Sequence, residues 1–519
     1  MASGVLSPQA RFEGPAELLG ERLKGIYRFL AENGDVVFPS HYFADLYTKS
    51  RLGQPTVPAR VVATVMLLQS HEGLSDREAT DRLERDLAWQ AAAGVHTGYE
   101  AFPPTLLVGM RNRLRASARP KRLFEDTKKA AKEAGVMSDK ARVLDSTPVY
   151  DAVATQDTVT QLRSAIRKVL RLTEGTQLEQ KVRAALERDD DYASPGKPPC
   201  DWDDPAAKEE LVDALVKDAK AALTALGEEK LEGATAEAAE LLAVVAGQDV
   251  EQREDGTFVI ARKVAKDRTI STVGTEARHG HKSHDRHFDG FKGHFSIDPC
   301  SELIDEVAGT AGNVADREAV DDLLAPVADL PEKPEVFGDS AYADGETLEH
   351  LEGQGFPVTA KVPPAVGRDG RYSKDDFSLD LGTGTVTCPA GQTANIRYGK
   401  DGTGRAEFGE ACAVCPLAER CTTNKAGRSV NIHRNEQVLQ RHKAAQEAEE
   451  WKERYKSTRP KVERKIAHLV RKPWGGRKAR MRGLARICGD LVTRAAAVNF
   501  ARLGVLRVHW DGAAWVAGP

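Results

Sequence analysis

KARVLDSTPVY, residues 140–150, is the stretch from which the rest of the chain is most usefully read. Val143 and Leu144 form an apolar run leading directly into Asp145, so the segment reads as a short strand ending on a carboxylate. PEVFGDSAYAD at 334–344 repeats the arrangement, with Val336 and Phe337 feeding into Gly338 and Asp339. Further strand character lies at 257–273 (TFVIARKV, then RTISTVG), 293–298 (GHFSID), 301–312 (SELIDEVAGTAG) and 356–362 (FPVTAKV). Short strands interspersed with helical patterns give an α/β core.

Between the two aspartates, 159–188 is helical in pattern, with Leu162, Ile166, Val169 and Leu170 on one stripe. The Ala-rich, acidic stretch 201–250 is also helical and reads as part of an inserted subdomain. Upstream, 37–120 is helical. PARVVATVMLLQSHEG starts at Pro58 and stops at Gly73; in GLSDREATDRLERDL, Ser75 and Glu78 form a capping box and Ala79, Leu83 and Leu87 share a face. Two helices joined by a short turn resemble a helix-turn-helix. The second is net acidic from Asp76 to Asp86, which suits a packing helix at least as well as one facing phosphates.

The 519 residues predict two to four structural units. A mean hydropathy of −0.45 and the lack of any apolar run near ~18–20 residues exclude an integral membrane protein. The first twenty residues lack the pattern of a secretory signal. The net charge is only −4, from 74 Lys+Arg against 78 Asp+Glu. It is unevenly spread. Residues 201–260 hold 16 acidic and 5 basic side chains, net −11, whereas 451–510 hold 17 basic and 3 acidic, net +14. Such asymmetry points to a polyanionic partner or to a solvated basic helix.

Seven cysteines, an odd number, suggest a reducing compartment. Cys388, Cys412, Cys415 and Cys421 fall within 34 residues and fit a zinc knuckle; four reduced thiols are the alternative. The run RHGHKSHDRHFDGFKGH holds His279, His281, His284, His287 and His294, on what reads as a loop. A solvated loop, backbone contact to DNA alongside Arg278, Lys282 and Lys292, and, least favoured, a metal site all remain open. WGGRKARMRG sets Arg477, Lys478, Arg480 and Arg482 beside Trp474, a composition suited to tracking phosphates.

Glu463 lies in RPKVERKIAHLVRK, where Val462, Ile466, Leu469 and Val470 form the buried stripe. It stands off that stripe among Arg459, Lys461, Arg464, Lys465, Arg471 and Lys472. It reads either as an intrahelical salt-bridge partner or as a carboxylate helping to hold a divalent metal. Three carboxylates converging from two strand ends and a helix make an oxygen-rich site suited to Mg²⁺. Two such ions, roughly 4 Å apart, can serve phosphodiester displacement. Spacing alone does not select this trio among 78 acidic residues.

A resemblance does. VLDSTPVYDAVATQDTV at 143–159, FGDSAYAD at 337–344 and RPKVERKIAHLVRKPWGGRKARMRG at 459–483 look like the three catalytic blocks of DDE-type bacterial insertion-sequence transposases. STVGTEARHGHKSHDRHFDGFKGHFSID at 271–298 is similar to that family's central block. FPSHYFADLYTKSRLGQPTVPARVVATVMLLQ resembles its InsH-type N-terminal domain, and AAAVNFARL at 495–503 its closing helix. The order is colinear from about 37 to 505. One feature departs: Tyr455 stands one residue too far from Arg459, and Val470 occupies the position of a lysine, with Arg471 and Lys472 following.

The resemblance implies an α/β fold with an RNase H-like catalytic core over 138–375, carrying Asp145 and Asp339 and interrupted by a helical insert at about 156–255. It implies a helical N-terminal domain over 1–130, a Cys-rich zinc-knuckle-like insert over 378–425, and a basic C-terminal part of the core, 430–519, carrying Glu463. Two Mg²⁺ or Mn²⁺ ions at Asp145, Asp339 and Glu463 would cleave transposon ends, and the freed 3′-hydroxyl would attack target DNA. A structural Zn²⁺ would sit on the four cysteines. Expected DNA contacts are Arg459, Arg464, Arg471, Lys472, Arg477, Arg480, Arg482, His279 and Lys282. The partners would be terminal inverted repeats, target DNA and a second copy in a synaptic homodimer; the location would be cytoplasmic and nucleoid-associated. Rival readings are a non-catalytic DNA-binding descendant and a hydrolase built on the histidines.

Overall fold

A computed structural model of the protein describes residues 14–39, 41–47, 57–227, 229–283, 285–471 and 476–518. Helices α1 (Pro15–Leu19), α2 (Gly25–Val37), α3 (Ala59–Glu72), α4 (Asp76–Arg85), α5 (Leu87–Ala93), α6 (Thr105–Ala116) and α7 (Arg122–Glu133) precede the first strand. Local chemistry sets their ends. Gly73, with a φ of 71°, adopts the left-handed conformation that stops α3, and Ser75 with Glu78 forms the capping box of α4. The pattern expected to continue to Leu87 breaks at Asp86, whose carboxylate accepts from the N–H groups of Ala88 and Trp89 and so starts α5.

Next come β1 (Ala141–Tyr150), α8 (Thr158–Leu172), α9 (Gln177–Ala185), α10 (Pro205–Gly227), α11 (Gly233–Gly247) and the hairpin β2 (Val250–Gln252) and β3 (Phe258–Ile260). Helices α8 to α11 bury Leu162, Ile166, Val169, Leu215 and Leu242 in a core of their own. The strand expected over 257–273 is only β3. Around Thr269 the backbone is satisfied by side chains: Gln161 and Gln248 donate to its carbonyl and Gln248 accepts from its N–H. Amide side chains thus replace a neighbouring strand.

β4 (Arg278–Ser283), β5 (Arg286–Ile297), β6 (Ile304–Ala311), α12 (Val320–Leu324), β7 (Glu335–Gly338), α13 (Gly345–Gly353) and β8 (Val358–Ala360) follow. β5 runs antiparallel to β1 on one side and to β6 and β4 on the other, and β1, β7 and β8 are parallel. The order is therefore β6-β5-β1-β7-β8, with β4 beside the outer half of β5. Two expectations change here. The histidine run is not a loop: it forms the β4–β5 hairpin, because β5 buries Phe288, Phe291 and Phe295 and from Phe291 onward pairs with β1 and β6 on its two sides. Nor does Asp145 end its strand: it lies mid-β1 opposite Phe295, and only the parallel pairing to β7 stops before it, at Val143.

A second antiparallel sheet, in the order β13-β12-β11-β10-β9, comprises β9 (Ser378–Asp380), β10 (Thr385–Thr387), β11 (Thr393–Tyr398), β12 (Gly404–Glu407) and β13 (Ser429–Ile432), with α14 (Ala418–Cys421) before β13. Its own small core contains Phe377, Val386, Ile396 and Val430. The chain closes with α15 (Glu436–Ala445), α16 (Glu449–Thr458), α17 (Pro460–Leu469), α18 (Leu484–Val505) and the hairpin β14 (Val508–Trp510) and β15 (Trp515–Ala517).

α18 packs against α2, α3, α7 and β6, so the N-terminal helices and the first sheet share one core. Asn499 pins that junction. Its amide donates to the Thr127 hydroxyl and the Ile304 carbonyl and accepts from the Ile304 N–H, so a fully buried polar group is satisfied. Among the described residues no helix is long and apolar enough to cross a membrane.

Candidate active site and nucleic-acid interface

Three elements bring the predicted carboxylates together. β1 carries Asp145, the turn leaving β7 carries Asp339, and α17 carries Glu463. Asp339 is held by the N–H of Ala341, which donates to its Oδ1 at 2.9 Å. The apolar stripe of α17 faces inward as expected, with Val462, Ile466 and Leu469 buried, which leaves Glu463 at the solvent edge. At the centre stands Arg459, in the junction between α16 and α17. Its Nη2 lies 3.2 Å from Asp145 Oδ2 and 3.5 Å from Asp339 Oδ2, and its Nη1 lies 3.3 Å from Glu463 Oε1.

Arg459 was expected on a phosphate. It is instead only 7% exposed, and its Nε has no hydrogen-bond partner among the described residues. The reason is electrostatic: three clustered carboxylates repel one another, and Arg459, a cation within reach of all three, is drawn between them. Asp145, 9% exposed, is the most buried of the trio. Burial pushes its carboxyl up to about 6; Arg459 acts against that rise, and Asp339 adds to it. Because this value is raised on folding, ionising Asp145 costs stability as pH rises through about 6, and the form able to hold a cation develops over the same range.

Sequence reasoning missed the support behind Asp145. Ser146 Oγ donates to Asp316 Oδ2 at 2.7 Å, and Lys292 Nζ donates to Asp316 Oδ1 at 2.7 Å. Tyr342 lies fully buried nearby without a partner for its hydroxyl; burial, then Asp316, Asp145 and Asp339, hold its pKa well above the usual phenol value. Ser146 was visible as the residue after Asp145, but no local pattern marks Asp316. Tyr455 reaches the site from α16, its hydroxyl donating to the Gly338 carbonyl at 3.3 Å and its ring stacked on Trp451.

Comparison with known families bears on this trio. Residues 387–504 match the model of the Transposase DDE domain, and residues 22–113 match that of the Transposase domain (DUF772). Together these two segments support an insertion-sequence DDE transposase. No curated protein and no solved structure matches it. The DDE match contains Arg459 and Glu463, whereas Asp145 and Asp339 lie outside both matched segments. A transposase is a DNA-cleaving and strand-transferring enzyme, and the DDE domain generally implies use of a divalent metal.

The chain holds several of its expected DNA-contacting cations in internal pairs. Arg464 lies 2.5 Å and Lys465 3.2 Å from Glu302, tying α17 to the turn after β5. Arg477 donates to the Thr147 hydroxyl and Arg480 to the Leu74 carbonyl. His279 pairs with Asp289 at 2.6 Å. Arg482 and Lys282 are exposed, and the charge of Lys282 is felt at Asp145. Arg471 is exposed and acts electrostatically on His71. Lys472, Trp474 and His284 lie outside the described residues.

Among the described residues the histidines do not converge. His281 and His287 face each other across the hairpin, while His294 is buried against Thr310 with its pKa pushed down to about 4. Cys388, Cys412, Cys415 and Cys421 do converge on one cavity of about 20 Å³, and the Arg428 N–H donates to Cys412 Sγ at 3.4 Å. As they stand, no three His, Cys, Asp or Glu groups among the described residues are close enough to hold a metal ion.

Proposed function

We propose that this transposase cleaves the ends of its own element by metal-dependent hydrolysis and joins the freed 3′-hydroxyl to target DNA, with Asp145, Asp339 and Glu463 as the catalytic carboxylates. The observation that carries this reading is the convergence of all three on a single cation, the Arg459 guanidinium. The order β6-β5-β1-β7-β8, antiparallel on one side of β1 and parallel on the other, supports an RNase H-like core.

The donor set fits a hard divalent cation: three carboxylates around a point that already favours positive charge. Mg²⁺ or Mn²⁺, as a pair of ions, would supply activation of the attacking oxygen and stabilisation of the leaving one. The chain's own part is positional. Asp145 is fixed by strand pairing, with Ser146 and Asp316 behind it, and Asp339 by its turn. Arg459, once released from the carboxylates, is placed to meet a phosphate, and Arg471, Arg482 and Lys282 extend the cationic surface. Two ends must be cut together, so a homodimer on paired inverted repeats is the expected assembly, working on the nucleoid.

The test is a labelled duplex carrying the terminal repeat. Strand cleavage with Mg²⁺ or Mn²⁺ and none with EDTA is the expected result; metal-independent cleavage contradicts it. The apparent affinity for the metal should fall about tenfold per pH unit below ~6, as metal-free Asp145 takes up a proton. A metal affinity unchanged from pH 7 to 5 rules out ionised Asp145 as a metal ligand.

The four cysteines are proposed to hold one structural zinc. The cavity between them has room for a single water-sized guest, thiolates suit zinc, and an N–H already donates to one sulfur. Metal analysis should find one zinc per chain, lost in Cys412→Ser/Cys415→Ser together with a marked drop in melting temperature. A zinc-free wild type of unchanged stability contradicts this.

A further inference from the structure

We propose that the polar face of the second sheet is a docking groove for the phosphodiester backbone of duplex DNA, separate from the carboxylate site. The inference rests on the reading of this chain as a DNA-cleaving enzyme. The groove is open, has a volume of about 690 Å³ and is lined by Lys374, Arg397, Arg405, Asn431 and His433, with backbone exposed at Gly399.

Strand register makes the groove cationic. Arg397 on β11 lies directly opposite Arg405 on β12, which lies opposite Asn431 on β13. The neighbouring row, Ile396, Ala406 and Val430, is buried on the other face. Like charges directly opposed across a ladder destabilise it. The chain relieves that repulsion only in part. Arg405 pairs with Glu407 at 2.9 Å and Lys374 pairs with Glu436, whereas Arg397 is exposed and makes no ion pair or hydrogen bond among the described residues. An anion seated between Arg397 and Arg405 removes the remaining repulsion.

A linear polyanion fits better than a small one, because the cations are spread over β11, β12 and the turn before β9 and the groove is far larger than one phosphate. Position favours DNA: His433 packs against Gly345 at the start of α13, and Arg434 beside it pairs with Glu346 at 2.7 Å. The groove therefore adjoins the helix that begins six residues after Asp339, and a duplex crossing the carboxylates can continue along it.

The experiment is equilibrium binding of the full chain to a terminal-repeat duplex and to a scrambled duplex of equal length, across a salt series. Arg397→Ala/Arg405→Ala is expected to bind both duplexes about tenfold more weakly at ~0.1 M salt, and its slope of log K against log salt should be shallower by about two. Arg397→Lys/Arg405→Lys, which keeps the charge, should retain the wild-type slope and so separates lost charge from a disturbed sheet. A steep wild-type slope left unchanged in the alanine variant overturns the groove alone. Equal losses in the alanine and lysine variants overturn it too. A wild type that binds neither duplex overturns the DNA reading itself.

Discussion

Asp145→Asn is expected to reduce end cleavage by about a thousandfold or more while leaving end binding within a few-fold of wild type. The substitution keeps the side chain's size and an oxygen able to accept the Ser146 N–H, which now donates to Asp145 Oδ1 at 2.8 Å. It removes the charge at the most buried of the three carboxylates. In phosphoryl transfer the protein contributes mainly positioning and charge neutralisation, so losing one anchoring charge falls on the chemical step. A thousandfold loss corresponds to about 4 kcal/mol of barrier. Single-turnover cleavage and binding to the same duplex separate the two effects, and Asp339→Asn and Glu463→Gln should behave alike. Undiminished cleavage by Asp145→Asn overturns the assignment. A non-catalytic descendant instead predicts end binding and no cleavage by the wild type with either metal. A histidine-based hydrolase predicts activity insensitive to Asp339→Asn, and the scattering of those imidazoles already argues against it.

The second large effect concerns Arg459. Arg459→Gln is expected to lower the stability of the metal-free protein by roughly 3 kcal/mol. Removing one partner of a buried ion pair costs about 3–5 kcal/mol because the other charge is left uncompensated. The lower end applies here, since the Asp339 and Glu463 side chains are 39% and 64% exposed and water screens them. The loss is expected to be conditional. A cation that binds only the folded chain stabilises it in proportion to its occupancy, and without Arg459 the carboxylates present their full charge to it. Melting temperatures in EDTA and in Mg²⁺ should differ more for Arg459→Gln than for the wild type, with Arg459→Lys in between. Equal shifts in all three proteins would mean that Arg459 and the metal do not compete for the same charge.

Local patterns carried much of this fold. The capping box at Ser75 and Glu78, the stop at Gly73 and the inward stripe Val462, Ile466 and Leu469 follow from backbone chemistry within one or two turns, and each forms as the residues require. Val143 and Leu144 ahead of Asp145, and Val336 and Phe337 ahead of Asp339, marked two strands correctly because buried strands need such runs. The histidine hairpin was harder to see, since its polar residues mask Phe288, Phe291 and Phe295, whose spacing shows no strict alternation.

Packing accounts for the rest. Asp145, Asp339 and Glu463 are far apart in the chain, and no spacing rule distinguishes them from 75 other acidic residues. Their meeting depends on β1 pairing with β7 and on α17 lying across β1. Arg459 reads as a surface cation in a basic helix, yet it becomes buried because the fold sets three negative charges around it. Arg464, Lys465 and Arg480 read the same way and are engaged by Glu302 and the Leu74 carbonyl, partners brought near by the fold. The stretch 140–150 thus establishes an α/β core and a carboxylate on its first strand, because strand period and burial act over a few residues. Which other charges face that carboxylate depends on contacts between distant segments, and those arise only when the chain has folded.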